Sequence, residues 1–276
     1  RHLIDAVVDV MKNGNRYPDS MKRVRRKVAK IYGLGPENVR LCNGTSEIID
    51  SMMRIFLQPG DEFILSNPTF ELYPARADLV GAKVVSVPVR SGDLQYDVDA
   101  MLDAVTDRTK LILIINPNNP TGVHIDDKDL LKFCRLGIPL CIDEAYFFYH
   151  PEVGSKAYLI KEYPHVFLQS TFSKAHGFAG MRFGYVLGTA EMIAAFNKML
   201  LPWNVSLMSM AAAEAMLDHP EELEKNVAHN NKWMDIFTEE AKKLGLNPYP
   251  APGNYMLIDA GASGKTNAEI LKAAME

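Results

Sequence analysis

The chain has 276 residues, 47% of them apolar and 23% charged, and its 30 basic against 34 acidic side chains leave a net charge of −4. That balance excludes a disordered or fibrous protein, and it does not supply the basic face of a nucleic-acid binder. The cationic cluster Lys22-Arg23 with Arg25-Arg26-Lys27 falls in an amphipathic pattern and reads as a solvated helix face.

Apolar residues at helical spacing predict helices over 3–11 and 21–31. A strand at Val39–Cys42 precedes a helix over 48–56, and the turn signal Gln58-Pro59-Gly60-Asp61 separates that helix from a strand over 62–65. Strands over 83–87 and 111–115 follow, then the turn Asn116-Pro117-Asn118-Asn119-Pro120 and a helix over 130–134. Further strands are expected over 139–142, 166–169 and 183–186, with a helix over 193–199. Beyond Pro202 the pattern becomes a long helical stretch, 207–244, interrupted near Pro220, before a strand over 255–259 and a last helix. Strands apolar on both faces, alternating with helices, indicate an α/β protein whose mostly parallel sheet is covered on both sides. The change beyond Pro202 marks the lead into a second, smaller domain.

No apolar run approaches the roughly 18 residues of a membrane span. Asp5 and Asp9 interrupt the first apolar segment, so it is not a signal peptide. Cys42, Cys134 and Cys141 are too few and too scattered for a disulfide framework. Cys141 sits in an apolar run as a reduced core thiol, which points to a reducing, cytoplasmic compartment. The histidines show no metal-ligand spacing, and no metal is expected.

Ligands of open α/β sheets bind outside the carboxyl ends of the strands. There the sequence places Asn43-Gly44-Thr45-Ser46-Glu47 opening a helix, then Asn116-Pro117-Asn118-Asn119-Pro120-Thr121-Gly122, Asp143-Glu144-Ala145-Tyr146 and Ser170-Thr171-Phe172-Ser173-Lys174. One crevice therefore collects a small-residue helix N-terminus, an amide, a carboxylate, a phenol, hydroxyls and a lysine.

At these residues the chain resembles the fold-type I pyridoxal-phosphate enzymes, and most of all the histidinol-phosphate aminotransferase family. The matching motifs are Arg16-Tyr17-Pro18, Gly44-Thr45-Ser46-Glu47, Asn67-Pro68-Thr69-Phe70, Pro117 to Gly122, Asp143 to Tyr146, and Ser173-Lys174 followed by Gly180-Met181-Arg182-Phe183-Gly184-Tyr185. They fall in family order at close to family spacing.

The resemblance implies pyridoxal 5′-phosphate carried on Lys174, which also moves the substrate's Cα proton. It implies that Asp143 faces the pyridine nitrogen and keeps it protonated, so that the ring can accept electrons. Tyr146 and Asn119 donate to the ring's 3′ oxygen. Gly44, Thr45 and Ser46 at a helix N-terminus, with Thr171, Ser173 and Arg182, hold the phosphate. Phe70 stacks on the ring where the family more often has Tyr. Tyr17 reaches the phosphate of the neighbouring subunit, which requires a homodimer. The same resemblance divides the chain into a lead-in helix over 1–14, a large cofactor-binding domain over 15–207, and a connecting helix with part of the small domain over 208–276.

Taken singly, each feature has a plainer reading. Lys174 alone is a surface lysine, Asn118-Asn119-Pro120 a turn, Thr45 an N-cap, and Phe70 and Tyr73 core residues, the last preferred for Tyr73. His176 beside the lysine reads as packing rather than catalysis. Gly264-Lys265-Thr266 after a strand mimics the phosphate loop of a nucleotide hydrolase. The glycine required five residues earlier is Asp259, however, so this stretch reads as a surface loop.

The reaction the resemblance implies is amino transfer from L-histidinol phosphate, or from an aromatic amino acid, to a 2-oxo acid such as 2-oxoglutarate. Decarboxylation in the manner of threonine-phosphate decarboxylase is the alternative, and Trp203 leans toward it. The family binds the substrate carboxylate through an arginine late in the small domain. No arginine follows Arg182 here, and the chain is expected to be a fragment of something longer.

Overall fold

The computed structural model of the chain describes residues 2–18 and 22–275. Helices α1 (His2–Met11) and α2 (Lys22–Ile31) come first; the expected start of the second at Met21 lies outside the described residues. There follow β1 (Val39–Cys42), α3 (Thr45–Phe56), β2 (Glu62–Asn67), α4 (Leu72–Leu79), β3 (Lys83–Pro88), α5 (Val98–Asp103), β4 (Thr109–Ile115) and α6 (Asp127–Cys134). Next are β5 (Leu140–Asp143), β6 (Val166–Thr171), β7 (Gly184–Leu187) and α7 (Ala190–Met199). The chain continues through α8 (Leu207–Asp218), α9 (Pro220–Lys243), β8 (Asn247–Pro250), β9 (Met256–Asp259) and α10 (Asn267–Met275).

The strands apolar on both faces form the expected sheet, in the order β1-β7-β6-β5-β4-β2-β3. From β6 to β3 every pairing is parallel, and β7 runs antiparallel to both of its neighbours. The alternation of side chains along β4 sends Leu111, Leu113 and Ile115 into one apolar cluster and Ile112 and Ile114 into another. Residues of α3 and α7 cover the first face, and those of α2, α6 and α8 cover the second. A sheet buried on both sides carries no polar face of its own, so its chemistry collects at the strand ends.

Local signals explain most element boundaries. Thr189 and Ser206 cap α7 and α8 by accepting the backbone N–H of Met192 and Ser209. Pro220 opens α9 at its first position, which ends the long helical stretch where it was expected to break. The helix α4 escapes a periodicity reading because Pro74 stands in its first turn. The strand β8 escapes because its residues are Asn-Pro-Tyr-Pro, a run admitted only at a sheet edge such as the β8–β9 pair.

The basic face of α2 is less solvated than expected. Lys27 meets Asp218 at 2.6 Å and Glu214 at 3.3 Å, and Arg23 meets Glu214 at 3.3 Å, tying α2 to α8. All three cysteines are free and buried. Among the described residues no helix is long and apolar enough to cross a membrane.

Fully buried Phe167 on β6 packs between Phe56 of α3 at 5.2 Å and Phe196 of α7 at 5.7 Å between ring centroids. Phe167→Ala should lower the unfolding free energy by about 3–5 kcal/mol in urea titrations; a loss below about 1 kcal/mol would contradict this packing role.

Candidate active site

Sheet order brings distant strand ends into one place. A cavity of about 190 Å³ is lined by Thr45, Ser46, Phe70, Asn119, Asp143, Tyr146, Thr171, Ser173, Lys174 and Arg182, together with Ile115, Ala145 and Ala179. The expected site residues thus converge, apart from Gly44, which lies just behind the cavity wall, and Tyr17. Tyr17 is exposed and stacks on Trp203 of its own chain with ring centroids 4.4 Å apart.

Asp143 ends β5, with Ile115 of β4 and Gln169 of β6 directly beside it in register. Burial pushes its carboxyl above the ordinary carboxylate range. Hydrogen bonds from Tyr73, Gln169 and the Ala145 N–H, and the charge of Lys174, oppose that shift. The Tyr73 hydroxyl donates to Oδ2, as does the Gln169 amide at 2.9 Å, while the Ala145 N–H donates to Oδ1 at 2.9 Å. Tyr73 is wholly buried, as its core reading expects, and it also holds the carboxylate. Neither Tyr73 nor Gln169 was singled out for the site. The available signals were a buried phenol needing a partner and a glutamine inside an apolar strand.

Next to Asp143, Glu144 is fully buried and accepts from the Ser155 hydroxyl and the Lys156 N–H, each at 2.6 Å. Burial still pushes it up to about 7. It anchors the turn that carries Tyr146.

The anion-binding corner depends on glycine. Gly44, at φ 77°, caps α3, and a side chain there would collide with the Arg182 guanidinium. At Gly184 a Cβ would lie 3.0 Å from the Thr45 nitrogen, so glycine lets β7 run close against the start of α3 without displacing its backbone. Arg182 itself has φ 52° and donates from Nη1 to the Ala179 carbonyl at 2.9 Å, which aims the guanidinium at the helix start. The hydroxyl of Thr171 sits 3.0 Å from the Phe183 carbonyl and accepts from the Ser173 N–H at 3.1 Å. It braces the turn, leaving the Ser173 hydroxyl as the freer donor.

The ammonium of Lys174 lies 5.1 Å from the centre of the Tyr146 ring. Burial lowers its pKa and Arg182 lowers it further, against the opposing pull of Asp143. The Asn119 amide is 3.5 Å from the Tyr146 hydroxyl, so both polar groups address the same point, and burial raises the phenol to about 12. A buried carboxylate, a partly desolvated amine, a phenol–amide pair and a helix N-terminus backed by arginine fit a planar, phosphorylated, nitrogen-containing aldehyde cofactor.

The family model for class I and II aminotransferases matches residues 2–274. Histidinol-phosphate aminotransferase 1 of Idiomarina loihiensis is 37% identical over 252 residues, covering 89% of this chain and 68% of that protein. An aromatic amino acid aminotransferase of Corynebacterium jeikeium is 33% identical, covering 98% and 75%. The crystal structure of histidinol-phosphate aminotransferase from Sinorhizobium meliloti in complex with pyridoxal-5′-phosphate superposes with a TM-score of 0.88 at 24% identity, covering 94% of this chain and 72% of that one.

Other candidate features resolve differently. Thr266 and Glu269 cap α10 reciprocally, so Gly264-Lys265-Thr266 belongs to an exposed helix entry. His2, His219 and Glu221 bring possible ligand atoms within 4.8 Å of one another, a grouping the histidine spacing does not reveal. The two imidazoles stack at 3.7 Å with their planes 29° apart, so their in-plane lone pairs run side by side instead of converging on one point.

His176 is buried, stacked 3.9 Å from Phe172 with a 3° interplanar angle, and depressed by desolvation to about 3. Its folded-state pKa lies below its unfolded value, so stability is unaffected above the unfolded pKa and falls as pH drops below it. This loss amounts to about 2 kcal/mol by pH 5. His176→Phe should reduce the stability difference between pH 7.5 and 5 by about that amount in urea titrations. An unchanged difference would contradict the neutral-imidazole packing.

Proposed function

The chain belongs to the class I and II aminotransferases, and on that premise we propose that it uses pyridoxal 5′-phosphate to move the amino group of L-histidinol phosphate to a 2-oxo acid such as 2-oxoglutarate. The observation that carries the cofactor is the meeting in one cavity of Lys174, Asp143 and the Arg182-backed start of α3. The names of the relatives support the substrate, with aromatic amino acids second. The free, buried thiols support a cytoplasmic setting. Residues 15–207 form the proposed cofactor-binding domain, after a lead-in helix over 1–14 and before a connecting helix and part of a smaller domain over 208–276.

When bound, pyridoxal phosphate supplies the carbonyl that captures an amine and a protonated ring that accepts electrons from the substrate's Cα. Every other contribution is made by the chain. Lys174 holds the cofactor through Nζ, and its lowered pKa keeps that nitrogen available to take the proton released from Cα. Asp143, kept anionic by its donors, holds a proton on the ring nitrogen. Tyr146 and Asn119 donate to the 3′ oxygen. The backbone amides of Thr45 and Ser46, the Ser173 hydroxyl and Arg182 bind the phosphate, with the α3 dipole adding to their attraction. Phe70, partly exposed at the cavity edge, covers the ring face.

Tyr17 and its stacking partner Trp203 are exposed on a single chain. In the proposed homodimer Tyr17 completes the partner's phosphate site.

Mixing the cofactor-loaded protein with L-histidinol phosphate should convert the bound cofactor to pyridoxamine phosphate, with the oxo product seen by mass spectrometry. Carbon dioxide release from L-threonine phosphate, with no such conversion by L-histidinol phosphate, would replace transamination by decarboxylation. Lys174→Ala should abolish the borohydride-reducible adduct, and an adduct on another lysine would refute the assignment. Refolding Lys174→Ala subunits together with Tyr17→Phe subunits should restore about a quarter of wild-type activity, because half the reassorted dimers carry one intact shared site. Restoration of none would place Tyr17 outside the partner's site.

A further inference from the structure

Strand β6 reads Val166-Phe167-Leu168-Gln169-Ser170-Thr171, and every residue of it is buried. Gln169 is fully inaccessible and stands beside Asp143 in the parallel register. Its amide nitrogen donates to Asp143 Oδ2 at 2.9 Å and to the Tyr73 hydroxyl, and the Tyr73 proton goes to the same Oδ2. Its carbonyl oxygen Oε1 is buried without a hydrogen-bond partner among the described residues.

That asymmetry is informative. A buried orphan acceptor is unfavourable, and leucine of similar volume would avoid it. Turning the amide over would set Oε1 against the carboxylate and the phenol oxygen. Only the orientation with the NH₂ group inward suits an ionised Asp143, and in that orientation the amide nitrogen serves both Oδ2 and the Tyr73 oxygen. The other groups that influence Asp143 are Lys174, Glu144, Cys141 and the phenols Tyr73, Tyr96, Tyr146 and Tyr255. Lys174 is the cation of this set, and the phenols and the thiol are held neutral by burial. Side-chain donors therefore fall to Tyr73 and Gln169, both on Oδ2, while among the described residues Oδ1 takes only the Ala145 N–H.

We propose that Gln169 is a positioning residue that, with Tyr73, keeps Asp143 anionic and leaves its Oδ1 the less occupied oxygen for the cofactor's ring nitrogen. This rests on the reading of the cavity as a pyridoxal-phosphate site. Gln169 touches no reacting atom, and its effect passes through Asp143.

The test loads wild type and Gln169→Leu with ring-¹⁵N-labelled pyridoxal phosphate and follows the nitrogen resonance from about pH 6 to 9. Wild type should hold the protonated-ring resonance throughout, whereas Gln169→Leu should lose it within that window. Its kcat should fall about tenfold to a hundredfold at nearly unchanged KM, as for loss of one charge-assisted hydrogen bond. A protonated ring across the whole range in Gln169→Leu, with unchanged kcat, would overturn the proposal. Should that variant fail to fold, the wild-type Gln169 side-chain amide, labelled with ¹⁵N-glutamine, decides. The amide proton facing Oδ2 should shift in Asp143→Asn, and an unshifted amide would overturn the proposal. If wild type takes up no pyridoxal phosphate, the cavity reading itself fails; if it does and only the leucine variant behaves as wild type, the positioning role alone fails.

Discussion

A carboxylate placed at the end of a strand in a sheet buried on both sides must remain charged with little exposure to water. Most of the site is built around that demand at Asp143. Burial alone favours the protonated acid, so the carboxylate persists only if the protein supplies donors and a nearby cation. Tyr73, Gln169 and the Ala145 N–H are the donors, and Lys174 is the cation. The same pairing lets Asp143 act on Lys174, whose amine is lowered by burial and by Arg182 yet steadied by the carboxylate.

The opposite demand governs the anion-binding corner, where positive potential must be concentrated. The start of α3 supplies unpaired backbone N–H groups, and Arg182 supplies a full charge. The close approach of the two is eased because residues 44 and 184 lack side chains. The left-handed backbone at Arg182, unusual for a residue with a Cβ, is held by its bond to Ala179 and by the β7 pairing that follows it.

Much of this was legible in the sequence, for local reasons. Doubly apolar strand runs announced a sheet covered on both faces, and the motifs after 42, 115, 142 and 169 lie at strand ends because each is contiguous with its strand. What escaped depends on contacts between distant segments. Tyr73 lies 70 residues from Asp143 and Gln169 lies 26 away, and they meet only through sheet order. Pro74 disguised the helix that carries Tyr73, and Gln169 was absorbed into an apolar run as a strand residue. The basic stripe on α2 read as solvated because its partners, Glu214 and Asp218, sit on a helix nearly two hundred residues later. Tyr17 was assigned by resemblance, and within one chain it simply stacks on Trp203.

The proposed chemistry depends on the cofactor's orientation between Asp143 and the start of α3. A crystal structure of the protein loaded with pyridoxal 5′-phosphate and reduced with borohydride tests this directly. It should show the adduct on Lys174 with the ring nitrogen hydrogen-bonded to the Asp143 carboxylate and the phosphate on the amides of Thr45 and Ser46 beside Arg182. A phosphate bound elsewhere, or a ring nitrogen facing away from Asp143, would contradict it.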